Sequence, residues 1–136
     1  MPASERVEDI ANKNIISVDE NQSVYDAVTL MVTESIGAIV VTSMRKPVGI
    51  ITERDLAKKI ILKGLDPRNV IARELMSAPL VTIDASASLG EAALLLQEKK
   101  IRRLLVQKDN EIIGIFTQRD LERALLDYFL AISKLE

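Results

Sequence analysis

Apolar residues change their period several times along this chain, and each change marks an element. Ile15-Ile16-Ser17-Val18 is a short β-branched run, stopped by the turn-formers Asp19, Asn21 and Ser23. Over residues 23–34 the apolar positions Val24, Ala27, Val28, Met31 and Val32 step by threes and fours, the signature of one helical face. Ser23 with Asp26 resembles a capping box in which Asp is a shorter arm than the usual Glu. Residues 36–42 are too β-branched and too few for a helix, and read as a strand. Arg45-Lys46-Pro47 then predicts a turn, residues 48–52 a second strand, and residues 52–63 a helix ended by Gly64 and Pro67.

The same pattern then runs a second time. Residues 15–56 align without a gap on residues 80–121 at a constant offset of 65, with 12 identities in 42 pairs. Gly49-Ile50-Ile51-Thr52-Glu53-Arg54-Asp55-Leu56 falls on Gly114-Ile115-Phe116-Thr117-Gln118-Arg119-Asp120-Leu121. A gapless match over several elements and their loops points to a duplicated three-dimensional unit. The second copy predicts a strand at 80–83, a helix at 88–99, strands at 103–107 and 111–116, and a helix from Thr117 to about Leu130. Short helices at 6–12 and 70–76 precede the copies. Each unit is β-α-β-β-α, a small three-stranded sheet with its helices on one face, so the expected class is α+β with two pseudo-twofold-related repeats. The repeats are expected at residues 7–65 and 70–130. A lobe of this size buries too little surface to be comfortable alone, so the two form one module.

Composition narrows the function. A net charge of −2 gives no general pull toward nucleic acid or an anionic membrane. With only two Tyr and two Phe there is no stacking platform for single strands, and the basic run Lys99 to Arg103 stands alone in its favour. The absence of Cys and His removes disulfides, thiolate metal sites and the commonest general base. Carboxylates do not cluster, which argues against both an enzyme and a bound metal. No apolar run reaches the roughly 20 residues of a membrane span, and the polar N-terminus is unlike a signal peptide, so a cytoplasmic protein is expected.

Two β-α-β-β-α units, each ending Gly-aliphatic-aliphatic-Thr-x-x-Asp-Leu, resemble a tandem pair of CBS domains, the arrangement called a Bateman module. Ile101-Arg102-Arg103-Leu104-Leu105-Val106 is also similar to the family's second strand, an Ile followed by a basic pair and an aliphatic run. The resemblance covers residues 7–126 and leaves no room for a fused catalytic domain. It implies a regulatory module that binds an adenine ribonucleotide in the clefts between the repeats: AMP first, ADP or ATP as alternatives, with S-adenosylmethionine and NAD left open. It further implies a homodimer paired through helical faces, and a separate regulated protein that reads the bound state. The competing expectation is a structural or dimerisation module with empty clefts.

The spacing Thr-x-x-Asp places a hydroxyl at a strand end and a carboxylate in the first helical turn. That end presents unpaired backbone N–H groups and the positive helix pole, which suit a phosphate. The same spacing is a helix cap, and the two roles coexist. By the resemblance, Thr52 with Asp55 and Thr117 with Asp120 hold ribose. Arg103 reaches phosphate beside Asp120, and Arg54 and Arg119 within the motifs are further phosphate candidates. The first copy has Gly37 and Ala38 where the second has Arg102 and Arg103. Adenine, again by the resemblance, slides against the first strand of the other repeat. Ile15, Ile16 and Ser17 then serve the Asp120 cleft, and Leu80, Val81 and Thr82 the Asp55 cleft; ordinary core packing is the alternative for these aliphatics. The Asp120 cleft, which keeps Thr, Asp and a strand arginine, is expected to be the occupied one. The apolar stretch Leu125, Leu126, Phe129 and Leu130, within residues 124–135, is either a dimer or partner surface, or core packing.

Overall fold

The structure is a computed structural model and describes residues 5–134. The elements run in order as α1 (Val7–Ile10), β1 (Ser17–Asp19), α2 (Val24–Thr33), β2 (Ala38–Ser43), β3 (Lys46–Thr52), α3 (Glu53–Leu56), α4 (Ala72–Leu75), β4 (Thr82–Asp84), α5 (Leu89–Lys99), β5 (Arg103–Lys108), β6 (Glu111–Thr117) and α6 (Gln118–Ser133). They make two three-stranded mixed sheets, ordered β1-β2-β3 and β4-β5-β6, with a parallel first pair and an antiparallel second pair in each. The offset of the sequence repeat survives in the hydrogen-bond register: Ser17 pairs with Val40 as Thr82 pairs with Leu105, and Ala38 with Thr52 as Arg103 with Thr117. The class is α+β, two β-α-β-β-α repeats.

The central strands read as continuous apolar runs because they are buried along their length. Ala38 to Val41 and Leu104 to Val106 are all buried, as expected of a strand flanked on both sides and covered by helices. α2 buries Val24, Ala27 and Met31 against one core, and α5 buries Leu89, Ala92 and Leu96 against the other. Val32, expected on the buried stripe, is 74% exposed. It lies about 80° round the helix from Val24 at 100° per residue, on the margin of the apolar arc.

Several boundaries differ from the sequence reading for local reasons. β1 and β4 begin at Ser17 and Thr82, two residues later than the β-branched runs, because the parallel ladder only starts there. The first hairpin turns at Met44 and Arg45, both with positive φ, not at Arg45-Lys46-Pro47. The second turns at Asp109 and Asn110 in the same way. Two residues with positive φ give a turn that matches strand twist. Pro47 then sits inside β3, opposite Thr42 where the register shifts, which is tolerable because β3 is an edge strand. The helix expected over 52–63 is α-helical only from Glu53 to Leu56, then widens into a π turn, Ala57–Ile61, closed by the Leu62 N–H on the Ala57 carbonyl at 3.0 Å. α6, its counterpart, stays α-helical to Ser133.

Contacts gather the chain into two compact units that do not follow chain order. One holds Ile16–Leu80; the other joins the residues from Val81 onward to those before Ile16. In the second of these, Val7 of α1 is fully buried in the core with Ile83, Leu104 and Phe116. Asn12 bridges Ile115 of β6 there, as Ser77 bridges Ile50 of β3 in the other unit. This close approach explains the glycine that opens each motif. A Cβ on Gly114 would lie 3.0 Å from the Asn12 carbonyl oxygen, and one on Gly49 would overlap the Met76 side chain.

Candidate ligand site

Each Thr-x-x-Asp motif is a complete reciprocal cap. The Thr52 hydroxyl accepts from the Asp55 N–H at 3.2 Å while Asp55 Oδ2 accepts from the Thr52 N–H at 3.0 Å. Thr117 and Asp120 repeat this at 3.1 and 2.9 Å. The N–H that opens the helix is also used: Glu53 donates to the Gly37 carbonyl and Gln118 to the Arg102 carbonyl. Two of the first three helix N–H groups are therefore satisfied by protein at both motifs. The anion-binding capacity expected of a bare helix end is correspondingly smaller. At Ser23 and Ser88 the hydroxyl alone caps, accepting from Asp26 and Glu91.

Beyond the cap the two carboxylates part company. Asp55 is 8% exposed. Its Oδ1 accepts from the Ser77 hydroxyl at 3.0 Å and pairs with the Lys59 ammonium at 3.3 Å. Its Oδ2 takes the Thr52 hydroxyl at 3.1 Å in addition to the Thr52 N–H. Lys59 is tied down in turn, donating to the Leu75 carbonyl at 3.0 Å. In the second repeat the Lys59 position is Ala124, buried in the core, and the Ser77 position is Asn12, whose Oδ1 takes the Asn14 N–H at 2.9 Å. Neither the lysine nor the serine that fills Asp55 recurs at the equivalent position beside Asp120, which stays partly exposed.

The remaining candidates fall as follows. Arg103 opens β5 directly opposite Thr117, so the ladder brings the strand arginine to the capping threonine. Arg102, Arg54 and Arg119 are exposed, and Arg103 is half-buried. Ile15 belongs to the compact unit of Thr117 and Asp120, whereas Ile16 and Ser17 belong to that of Thr52 and Asp55. Leu80 lies in the first-repeat unit, and Val81 and Thr82 in the second. Ile16 and Val81 pack on their own cores while giving carbonyls to Val40 and Leu105; Ser17 and Thr82 are exposed. Leu125, Leu126, Phe129 and Leu130 are between 46% and 62% exposed, a surface of α6 and not core; Leu135, at the end of that stretch, lies outside the described residues. Lys59 and Ser77 escaped the sequence reading. Lys59 could have been found from the Asp–Lys spacing of four that the second copy lacks.

Among the described residues no group of three acids gathers as a metal cage, and no helix is long and apolar enough to cross a membrane. The CBS domain family matches residues 7–62 and 72–127. A protein of Methanopyrus kandleri is 36% identical over 117 residues, which cover 85% of this chain and 60% of that protein. Among solved structures, a CBS-domain protein from Burkholderia ambifaria superposes with a TM-score of 0.82 at 32% identity, covering 85% of each chain. A hexameric CBS-CP12 protein from bloom-forming cyanobacteria does so at 0.82 and 26% identity, covering 90% of this chain and 73% of that one. This chain spans 60%, 32% and 60% of the first three curated relatives it matches. With both repeats matched in full register, the chain belongs to the CBS-domain family as a tandem pair, generally a regulatory or ligand-binding module.

Proposed function

We propose that this CBS pair is a cytoplasmic regulatory module that binds an adenine ribonucleotide at its second repeat and passes the bound state to a separate protein. AMP is the first choice of ligand, with ADP and ATP as alternatives. The observation that carries the reading is the asymmetry of the two carboxylates. Asp120 is held in place by the Thr117 N–H at 2.9 Å, yet it lacks the lysine and serine that fill its counterpart. An ionised carboxylate offers about four acceptor positions, enough here for the cap and both hydroxyls of a ribose. Arg103, in register with Thr117, supplies a planar fork suited to phosphate oxygens. A second copy of the chain is proposed to cover the apolar face of α6, where Leu126, Phe129 and Leu130 are more than half exposed.

The test is calorimetric titration of AMP into the wild type and Asp120→Ala. Hydrogen bonds to a charged group contribute about 1.5–3 kcal/mol each, so losing two should weaken AMP at least about a hundredfold. Undiminished AMP affinity in Asp120→Ala would remove this site.

A further inference from the structure

Resting on that reading, we propose that Lys59 and Ser77 close the first repeat's carboxylate against ligand, so that Asp55 is a fastening of the fold and the chain takes one nucleotide, not two. Both Asp55 oxygens are doubly engaged: Oδ1 by Ser77 and Lys59, Oδ2 by the N–H and hydroxyl of Thr52. Those four contacts exhaust the acceptor positions a carboxylate has. A ribose diol arriving there would have to displace donors already in place, and gain nothing by exchanging them. Displacing Lys59 would also strip Asp55 of its neutralising charge in a site that is 8% exposed, where an unpaired charge is costly.

The backbone is shaped around this closure. The π turn Ala57–Ile61 carries Lys59 and exists only in the first repeat. From it the ammonium reaches Asp55 at 3.3 Å and the Leu75 carbonyl at 3.0 Å together. Leu75 ends α4, and Ser77 follows two residues later and bridges β3 at Ile50. One carboxylate thus joins α3, the π turn, the end of α4 and the edge strand β3. In the second repeat an unbroken α-helix puts Ala124 at the same place, and the carboxylate is left to other uses. Lys59 and Ser77 are positioning residues that decide ligand number.

Three measurements on the full chain test the closure. Thermal unfolding without ligand should show Asp55→Ala melting about 5 °C or more below wild type, and Asp120→Ala within about 2 °C of it. Equal shifts in the two would overturn the proposal even if no nucleotide binds at all. AMP titration should give one site per chain in wild type and in Asp55→Ala; two sites in wild type, with one lost in Asp55→Ala, would overturn the closure while leaving the nucleotide reading intact. Finally, Lys59→Met with Ser77→Ala keeps the lysine stem but frees Oδ1, and adenosine should then bind at a second site. Adenosine is the probe because the first repeat has Ala38 where a phosphate arginine would stand. A count still at one in that variant would overturn the role of Lys59 and Ser77, because adenosine carries no phosphate for which Ala38 could be at fault.

Discussion

Asp55 and Asp120 sit on nearly superimposable caps, 65 positions apart, and are different chemical objects. The first is buried and shared among four donors; the second is partly exposed, with alanine and asparagine at the positions equivalent to Lys59 and Ser77. What separates them lies outside the repeated motif, on the following helix and in the segment that enters each unit. A duplicated backbone therefore conveys geometry, whereas the residues around it settle whether a group remains available. Capping is common to both copies and says nothing about ligand.

The comparison can be pressed in order of effect. The largest contrast is in the cores. Phe116 and Ile51 hold equivalent positions, both fully buried. Phe116→Ala should cost about 3–5 kcal/mol, and Ile51→Ala about 2–5 kcal/mol, read from urea unfolding of each variant. If Ile51→Ala proves the costlier, the order of the two cores is reversed and the first unit relaxes less around its cavity. Next comes the strand arginine. Arg103→Ala should weaken AMP about tenfold or more, the equivalent of one lost charge-assisted contact, and leave adenosine nearly unchanged. Equal losses for both would detach Arg103 from phosphate and erase one of the differences between the repeats.

The smallest effect concerns the turns after the first strands. Asp84 is held below the ordinary aspartate value chiefly by the Ser86 hydroxyl, then by the Ser86 N–H. A depressed carboxylate stabilises the fold above its unfolded pKa and loses that contribution as pH falls through the folded one. Ser86→Ala should raise the Asp84 titration midpoint, followed by carboxyl NMR, and so soften the acid limb of stability. An unmoved midpoint would shift the cause to the backbone bond, the kind of contact that Asp19 also makes, with the Asn21 N–H.

Most of the fold was legible because period and repeat agree. The 3-4 steps of α2 and α5, the buried runs of β2 and β5, and the constant offset all reflect burial, which composition encodes directly. Strand starts were not legible, since Ile15 and Ile16 are as β-branched as Val18 but the first paired residue is Ser17. The π turn was not legible either: Ala57–Ile61 has the propensities of an ordinary helix. The two caps and the position of Arg103 could be read from the motif and the register of its strands. The filling of Asp55 could not, because Ser77 stands 22 residues away and outside the matched window. The turn at Met44-Arg45 was missed because neither residue favours positive φ, whereas Asp109-Asn110 advertises it.

The placement of Val7 and Asn12 has a consequence for how the molecule is made. The unit from Ile16 to Leu80 is one uninterrupted stretch, complete as soon as Leu80 has left the ribosome. The other unit needs its earliest residues and its latest ones together, since Val7 fills the core beside Phe116 and Asn12 pairs with Ile115 on β6. During synthesis the leading segment must wait, unpaired, while the first unit forms behind it, and it docks only when β6 emerges. Cutting the gene midway would accordingly leave one half with all of its own strands and helices and one half missing a strut. The reciprocal rearrangement, in which residues 5–15 are moved to follow Leu80, would yield two continuous halves.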